Sequence, residues 1–203
     1  MSPKADVSAE RKEQIYQAAL ACFNSKGYYQ TTMDDIVAES GLSKGTLYWY
    51  FDSKKALFIA LLADFMEPLN QEWTAVTSDP LMSVVDKLKA SMTLFRNQIT
   101  EMVHFFGIVM EAWTQTHFDE DVQRLSREMY QPYLALMNEI LEEGVAKGEL
   151  SVEDTRATSA VILTMFDGLT LAIGMGILDQ DTESLLDAAE RLVLQGLGVN
   201  ANE

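Results

Sequence analysis

The fold of this chain is decided by residues 31–57, which read TTMDDIVAESGLSKGTLYWYFDSKKAL. Thr32 can cap a short helix, and Asp35, three positions later, can return the hydrogen bond and favour the helix dipole. Gly41 suits a left-handed turn after that helix, and Ser43 can cap a second short helix. Because two short helices joined by a glycine-containing turn of this length form a helix-turn-helix, we predict that motif here.

Apolar residues recur at spacings of three and four on both sides of this motif, which predicts helices throughout the chain. About nine helices are expected in all; those outside the motif span roughly residues 8–26, 54–76, 80–99, 102–113, 119–145, 151–176 and 182–197. We place Pro80 at the first position of one of them and Ser151 at the N-cap of another. The predicted fold class is all-α, with a three-helix head over residues 1–52 and a helical body over residues 53–203.

The composition is that of a folded globular protein, since 48% of the 203 residues are hydrophobic and 23% are charged. A single cysteine, Cys22, excludes an internal disulfide framework and any zinc site made of several cysteines. We recognise no secretory signal, and no apolar stretch that approaches the ~20 residues of a membrane span. We therefore expect a soluble, cytoplasmic protein.

The net charge of −16 is confined to the body of the chain. Residues 1–57 carry seven basic and seven acidic side chains, whereas residues 58–203 carry eight basic and 24 acidic ones. Within the head, residues 43–55 hold three lysines against one aspartate. Since phosphates attract positive charge, a nucleic acid would bind there, if the chain binds one at all, and away from the acidic body.

Residues 31–57 closely resemble the DNA-binding head of the tetracycline-repressor (TetR) family. The resemblance covers residues 11–60 with every element in order, while the rest of the chain is similar only in its helices. It implies a DNA-binding domain over residues 1–52 and an effector-binding and dimerisation domain over residues 53–203. It also implies a homodimeric repressor that binds a palindromic DNA operator and is released by a small-molecule effector.

The side chains at the start of the second motif helix suit the reading of DNA bases. Only the N-terminal end of a helix in the major groove reaches base edges, and there Lys44 can donate to guanine. Gly45 lets the backbone approach closely, and Thr46 offers a methyl and a hydroxyl group. The consecutive aromatic residues 48–50 cannot all be buried on one helix face, so at least one is expected to be exposed; the alternative is a small hydrophobic core.

The resemblance assigns Tyr48 and Tyr50 to bases or phosphates and Trp49 to the DNA backbone. Lys54 lies in the first turn of the next helix, where a lysine is unfavourable to the helix dipole unless a phosphate binds there too. The alternative for the lysines is an idle surface position. The candidate DNA-binding residues are Thr32, Ser43, Lys44, Gly45, Thr46, Tyr48, Trp49, Tyr50 and Lys54.

Methionine and aromatic side chains are abundant in the body, where nine of the eleven methionines lie. Such side chains can line an adaptable apolar pocket for an effector, or they can simply fill a core. Glu111 and Asp167 lie among apolar neighbours, so a cationic effector is expected if either carboxylate lines the pocket unpaired. The candidate effector-binding residues are Phe65, Trp73, Met92, Phe95, Phe106, Met110, Glu111, Trp113, Met137, Met165 and Phe166.

Small residues recur at every fourth position from Ala160 to Gly176, which allows another helix to approach closely. We expect this helix and the last one to form a four-helix bundle with a second copy; the alternative is packing inside one subunit. Two heads would then read half-sites about 34 to 36 Å apart. The candidate interface residues are Ala160, Thr164, Gly168, Ala172, Leu185, Ala189 and Leu192.

We find no enzyme motif: there is no phosphate-binding loop, no Gly-x-Ser-x-Gly turn, and no serine or cysteine with an evident histidine partner. His104 and His117 are the only histidines, and their spacing does not match an i, i+4 pair on a helix. We therefore predict no enzymatic activity, no cofactor and no metal. The alternative function is a DNA-bound scaffold that recruits a protein partner without a small-molecule effector.

Overall fold

The computed structural model describes residues 3–116 and 120–199, with side chains except at 3–6, 100–102, 104–109, 111–113, 115, 116, 122 and 125. This part of the chain contains eight α-helices and no β-strand, which confirms the predicted all-α class. The helices are α1 (Pro3–Gln30), α2 (Met33–Ser40), α3 (Lys44–Tyr50), α4 (Lys54–Ser78), α5 (Val84–Thr116), α6 (Glu120–Lys147), α7 (Thr155–Gly174) and α8 (Thr182–Gly196).

The predicted helix-turn-helix is present as α2 and α3. The Thr32 hydroxyl oxygen accepts a hydrogen bond from the Asp35 backbone at 3.1 Å, and the Asp35 carboxylate accepts one from the Thr32 backbone at 2.8 Å. Gly41 has a φ of 67°, the left-handed conformation of a helix-ending glycine. Ser43 caps α3 by accepting from the Thr46 backbone at 3.1 Å. These contacts confirm the caps and the turn predicted from the sequence.

α1 extends beyond its predicted end at Lys26, because helical structure resumes after a break. Gly27 interrupts the helix with a φ of 78°, where the sequence predicted the end of the helix. The buried Thr31 hydroxyl donates to the carbonyls of Cys22 and Gly27 at 3.1 and 2.8 Å. The Thr31 backbone N–H also donates to the Gly27 carbonyl at 3.3 Å, so Thr31 ties the end of α1 to the residues around the break.

The structure corrects two predicted boundaries around α5. Pro80 is not its first residue, because α5 begins at Val84. Its cap is Ser83, whose hydroxyl oxygen accepts from the Asp86 backbone at 3.1 Å. The two helices predicted on either side of residue 100 form one continuous helix, since neither glycine nor proline separates them. The described residues therefore contain eight helices where about nine were predicted.

α7 also differs from its prediction. Asp154 caps it by accepting from the Ala157 backbone at 2.9 Å, while the backbone N–H of Ser151, the predicted cap, donates to the Leu197 carbonyl. α7 is long and apolar enough to cross a membrane by length and composition, a test that core helices of soluble proteins also pass. The helix contains Arg156 and Asp167, so it is not an uninterrupted apolar stretch.

The chain forms two compact units. The first unit contains residues 1–66 and 107–125, and the second unit contains residues 67–106 and 126–203. The helix-turn-helix lies in the first unit, and α7 and α8 lie in the second. The domain boundary between residues 52 and 53 stays a prediction.

Ion pairs join α5 to other helices of the second unit. The Lys87 ammonium is buried and lies 2.7 Å from the Glu143 carboxylate of α6. The Arg96 guanidinium donates to two carboxylates of α8, those of Glu183 and Asp187. Because hydrogen bonds between ionised groups are the stronger ones, these contacts help to fix α6 and α8 against α5.

Gly144 of α6 lies in a crowded place, where a Cβ atom would overlap the Leu150 side chain and come within 2.8 Å of Val84 Cγ1. We expect Gly144→Ala to lower the free energy of unfolding by about 1–3 kcal/mol, the usual range for overpacking. Thermal unfolding measures this effect. The control is Gly196→Ala, whose Cβ has no atom within 4 Å and whose melting temperature should match or exceed that of the wild type. Equal melting temperatures for Gly144→Ala and the wild type would contradict this packing.

Candidate nucleic-acid interface

The first turn of α3 presents a small polar surface. Ser43, Lys44 and Gly45 are exposed, and the hydroxyl groups of Ser43 and Thr46 are hydrogen-bonded to each other at 2.8 Å. A Cβ atom on Gly45 would meet Ser43 Oγ at 3.9 Å, an ordinary contact. Packing inside the chain therefore does not require a glycine here, whereas close approach by another molecule would.

Lys44 is exposed and forms an ion pair. Its ammonium lies 2.7 Å from the Asp34 carboxylate of α2 and 5.9 Å from the centre of the Tyr48 ring. The hydrogen bond to Asp34 raises the pKa of Lys44 above its ordinary value. The two side chains are 61% and 68% exposed, so water screens the pair and another anion can compete for the lysine.

Two of the three consecutive aromatic residues are exposed, which excludes a hydrophobic core made of all three. Trp49 is 74% exposed and Tyr48 is 39% exposed, although Leu47 beside them is fully buried. Tyr50 is half-buried, and its hydroxyl donates to Ser8 Oγ at 3.4 Å. An indole as exposed as that of Trp49 adds little to the stability of the fold by burial, so its position favours a binding role.

Lys54 has a different environment from the one predicted. Its ammonium donates to the carbonyls of Tyr28, Tyr29 and Thr31 at 2.5, 3.2 and 2.8 Å, and lies 4.3 Å from the centre of the Tyr28 ring. Through these carbonyls Lys54 ties the start of α4 to the α1–α2 junction. Its predicted phosphate contact stays a prediction.

Thr32 is the exposed N-cap residue of α2, and the capping hydrogen bonds fix its side chain. Its hydroxyl donates to the Asp35 carboxylate at 2.8 Å, and Asp35 also accepts from Lys26 at 2.7 Å. These hydrogen bonds hold the pKa of Asp35 well below its ordinary range, and the one from Lys26 has the largest effect. Thr32 therefore orders the first turn of α2, whose backbone N–H groups are suited to a phosphate.

Tyr29 is a surface candidate that the sequence analysis missed. It is 55% exposed, and its ring packs edge-on against that of Tyr28 at 5.9 Å. The signal was two adjacent aromatic residues directly after the helix-breaking Gly27. Since Lys54 binds the carbonyls of both tyrosines, the backbone that presents Tyr29 is fixed.

The predicted effector-binding residues are divided between the two units. Those in the second unit are Trp73, Met92, Phe95, Met137 and Phe166, which are buried, and Met165, which is half-buried. Those in the first unit with described side chains are Phe65 and Met110, both half-buried. The side chains of Phe106, Glu111, Trp113 and His104, and the whole of His117, lie outside the described residues.

The structure brings some of these residues into pairs. The Trp73 ring of α4 meets the Tyr133 ring of α6 edge-on, with 5.6 Å between centres. The Phe95 ring of α5 lies 4.6 Å from the Phe166 ring of α7. Aromatic side chains from four helices therefore contribute to the interior of the second unit.

Asp167 of α7 is paired. The Tyr130 hydroxyl of α6 donates to its carboxylate at 2.7 Å. Burial raises the pKa of Asp167, and the hydrogen bond from Tyr130 partly opposes that rise. The Asp167 carboxylate is therefore hydrogen-bonded inside the second unit, and the cationic effector expected from Glu111 or Asp167 stays a prediction.

The residues predicted for a dimer interface differ in exposure. Thr164, Gly168 and Leu192 are exposed, and a Cβ atom on Gly168 would meet no atom within 4 Å. Val161, about one turn before Thr164 on α7, is 65% exposed. Ala189 is buried within the subunit, and its predicted place in the interface stays a prediction. The half-buried members are Ala160, Ala172 and Leu185.

Proteins of known class share this sequence pattern and fold. The chain is 25% identical to YhgD, an uncharacterised HTH-type transcriptional regulator of Bacillus subtilis, over 96% of this chain and 100% of the relative. The fold is similar to FadR from Bacillus subtilis in complex with stearoyl-CoA, with a TM-score of 0.75, 20% identity and coverage of 91% and 98%. It is also similar to a SmeT–triclosan complex, with a TM-score of 0.79, 18% identity and coverage of 92% and 91%.

Two family models match consecutive parts of the chain. Residues 15–61 match the bacterial regulatory proteins of the tetR family, and residues 69–171 match the tetracyclin repressor-like C-terminal domain. The first match contains α2 and α3 with their caps, and the second begins within α4 and ends within α7. The relatives of this chain are transcriptional regulators rather than enzymes. The chain belongs to the tetR family of bacterial transcriptional regulators.

Proposed function

We propose that this chain is a homodimeric, ligand-responsive transcriptional repressor, which binds a palindromic DNA operator through α2 and α3 and is released by a small apolar effector. The observation that carries the proposal is the surface of α3. Its first turn and Trp49 are exposed, while Leu47 on the opposite side is fully buried. A helix held in this way presents its outer face to a groove of duplex DNA.

Each exposed group of α3 can make a contact with a base or with the DNA backbone. Lys44 exchanges the Asp34 carboxylate for guanine O6 or N7 or for a phosphate. Gly45 and the hydroxyl groups of Ser43 and Thr46 allow the backbone to approach base edges. The rings of Tyr48 and Trp49 lie along the sugar-phosphate backbone, and such contacts fix the position of the helix.

The exposed apolar residues of α7 and α8 support dimerisation. Val161 and Leu192 are each 65% exposed, and Gly168 has room for a partner's side chain. A second copy placed against α7 and α8 would bury this apolar area, and removing apolar area from water stabilises the dimer. A symmetric pair also supplies the two heads that a palindrome needs.

The interior of the second unit supports an apolar effector. Its buried aromatic and methionine side chains are typical of small-molecule sites, and family members of similar fold bind stearoyl-CoA and triclosan. Such a regulator acts where the DNA is, so we also propose a cytoplasmic location.

Release by a small molecule is the direct test of this function. The protein bound to a fluorescent operator duplex is titrated with apolar compounds, and fluorescence anisotropy reports the bound fraction. We expect at least one compound to weaken operator binding by about tenfold or more, a coupling of about 1.4 kcal/mol. If the protein binds DNA and no compound changes its affinity, the scaffold alternative is favoured.

Asp34→Asn is expected to strengthen operator binding. The substitution removes the carboxylate that pairs with Lys44 at 2.7 Å and also removes a negative charge that faces the DNA phosphates. Because the pair is exposed, we expect a gain of about two- to fivefold at low salt, which declines as salt is added. Fluorescence anisotropy at several salt concentrations measures it. The control is Asp64→Asn, which removes a carboxylate paired with Lys12. Equal affinity of Asp34→Asn and the wild type at low salt would show that the pair does not compete with DNA.

A further inference from the structure

Tyr29 is exposed, yet it belongs to a fixed part of the first unit. Its ring packs edge-on against the Tyr28 ring at 5.9 Å. The Tyr28 ring in turn lies 4.8 Å from the Phe58 ring of α4 and 5.4 Å from the Phe23 ring of α1. The Lys54 ammonium donates to the carbonyls of both tyrosines. Aromatic packing and these hydrogen bonds therefore hold Tyr29 in place, while it stays 55% exposed.

Two ion pairs connect the end of α1 with the first turn of α3. The Lys26 ammonium of α1 lies 2.7 Å from the Asp35 carboxylate of α2. The neighbouring Asp34 carboxylate lies 2.7 Å from the Lys44 ammonium of α3. Tyr29 comes five positions before Asp34, so their backbones are no more than about 18 Å apart. The α1–α2 junction is therefore a neighbour of the helix end that the proposed function places in DNA.

An exposed surface leads from Tyr29 along the first turn of α2 to Lys44. Thr32 and Asp34 are both exposed, whereas the residue before each of them is buried. A recognition helix enters a major groove about 12 Å wide, and a sugar-phosphate backbone borders this groove on each side. With Lys44 at the base edges, a residue farther along the same surface lies over one of these backbones.

The chemistry around Tyr29 favours a phosphate. Tyrosine hydroxyls are among the neutral groups that donate to phosphate oxygens. The Lys54 ammonium, 3.2 Å from the Tyr29 carbonyl oxygen, adds positive charge beside it, which favours an anion. The carboxylates of Asp34 and Asp35 are each paired with a lysine. Because Tyr29 is already held in place, it loses little conformational freedom when it binds.

We infer that Tyr29 is a positioning residue of the DNA interface, whose hydroxyl group donates to a phosphate of the backbone that borders the groove read by α3. The inference rests on the proposed function and adds to it a contact from outside the helix-turn-helix. Phosphate contacts fix the register and orientation of a protein on duplex DNA and carry no sequence information. Tyr29 therefore contributes to the affinity for DNA and does not select bases.

Tyr29→Phe tests the hydroxyl group directly. The variant keeps the ring that packs on Tyr28, so its melting temperature should match that of the wild type. Fluorescence anisotropy at low salt compares its affinity for the operator duplex and for a scrambled duplex of the same length. Because each head loses one hydrogen bond to a phosphate, we expect binding of both duplexes to weaken by the same factor, about three- to tenfold.

A second measurement locates the phosphate. Single phosphates within and beside each half-site of the operator duplex are replaced, one at a time, with uncharged methylphosphonates. At one position in each half-site the replacement should weaken binding by the wild type by about threefold or more. The same replacement should weaken binding by Tyr29→Phe less, because the hydroxyl that met this phosphate is already absent.

Tyr16→Phe is the matched control, since it removes a phenol hydroxyl of the same unit from a residue that is only 3% exposed. It should bind both duplexes, and respond to each methylphosphonate, as the wild type does. The inference is overturned if Tyr29→Phe binds the operator as tightly as the wild type, if its loss is confined to the operator duplex, or if no phosphate is coupled to Tyr29.

The same assays separate this inference from the proposed function. If Tyr29→Phe binds the operator normally, while a variant with alanine at both Lys44 and Tyr48 does not bind it, this inference alone is contradicted. If the wild type binds no duplex at all, the proposed function is contradicted as well.

Discussion

Replacing Lys44 and Tyr48 together with alanine is expected to weaken operator binding by about 100-fold or more. Each good base contact contributes about 1–3 kcal/mol, and a dimer would lose both contacts in each head. Both side chains are exposed, and neither is needed for the core, which Leu47 fills from the same helix. The double variant should therefore fold normally. Fluorescence anisotropy with the operator duplex measures the loss, and thermal unfolding verifies the fold.

The control for this variant is Lys147→Ala. Lys147 is also an exposed lysine in an ion pair, 2.6 Å from Glu143, but it lies in the second unit. Its replacement removes one positive charge per subunit. Because salt screens a charge that lies outside the DNA contact, operator affinity should stay within about twofold of the wild type. If the Lys44 and Tyr48 double variant bound DNA as tightly as Lys147→Ala does, α3 would not be the helix that reads DNA.

Gly168→Leu is expected to convert the dimer to monomers. Gly168 is exposed and a Cβ atom there meets nothing within 4 Å inside the subunit, so a larger side chain is expected to project from the surface and to clash with a partner placed against α7. Exchanging glycine for leucine in a helix also raises helix propensity by about 1 kcal/mol, so the subunit itself should not be destabilised. Sedimentation velocity measures the change in mass. Operator binding should fall with it, because a single head makes too few contacts for specific binding.

Thr93→Leu is the matched control for the dimer test. Thr93 is exposed on α5, and its exchange for leucine also adds an apolar side chain to a helix surface. This variant should remain dimeric. Dimers that persist in Gly168→Leu would show that α7 does not form the interface, and the small residues of α7 would then need another explanation.

The helix-turn-helix was predictable because its determinants are local. The capping contacts of Thr32 with Asp35 and of Ser43 with Thr46 join residues three positions apart, and Gly41 acts through its own backbone. Such signals can be read along the chain without knowledge of the fold. The start of α5 is equally local, through the Ser83 cap, but Pro80, a residue typical of the first helical position, indicated an earlier start.

The partners of several site residues could not be predicted, since they depend on contacts between distant parts of the chain. Lys54 binds carbonyls more than 20 positions earlier, which no spacing rule detects. Lys44 was identified by its position at the start of α3, yet its pairing with Asp34 required the relative placement of two helices.

The most direct measurement is the selection of bound DNA from a random pool of duplexes by the purified protein at low ionic strength. The account predicts that one palindromic sequence is enriched, with half-sites about 34 to 36 Å apart, and that the Lys44 and Tyr48 double variant does not enrich it. A protein that retains no duplex, or retains all sequences equally, would contradict the central claim that α3 reads an operator.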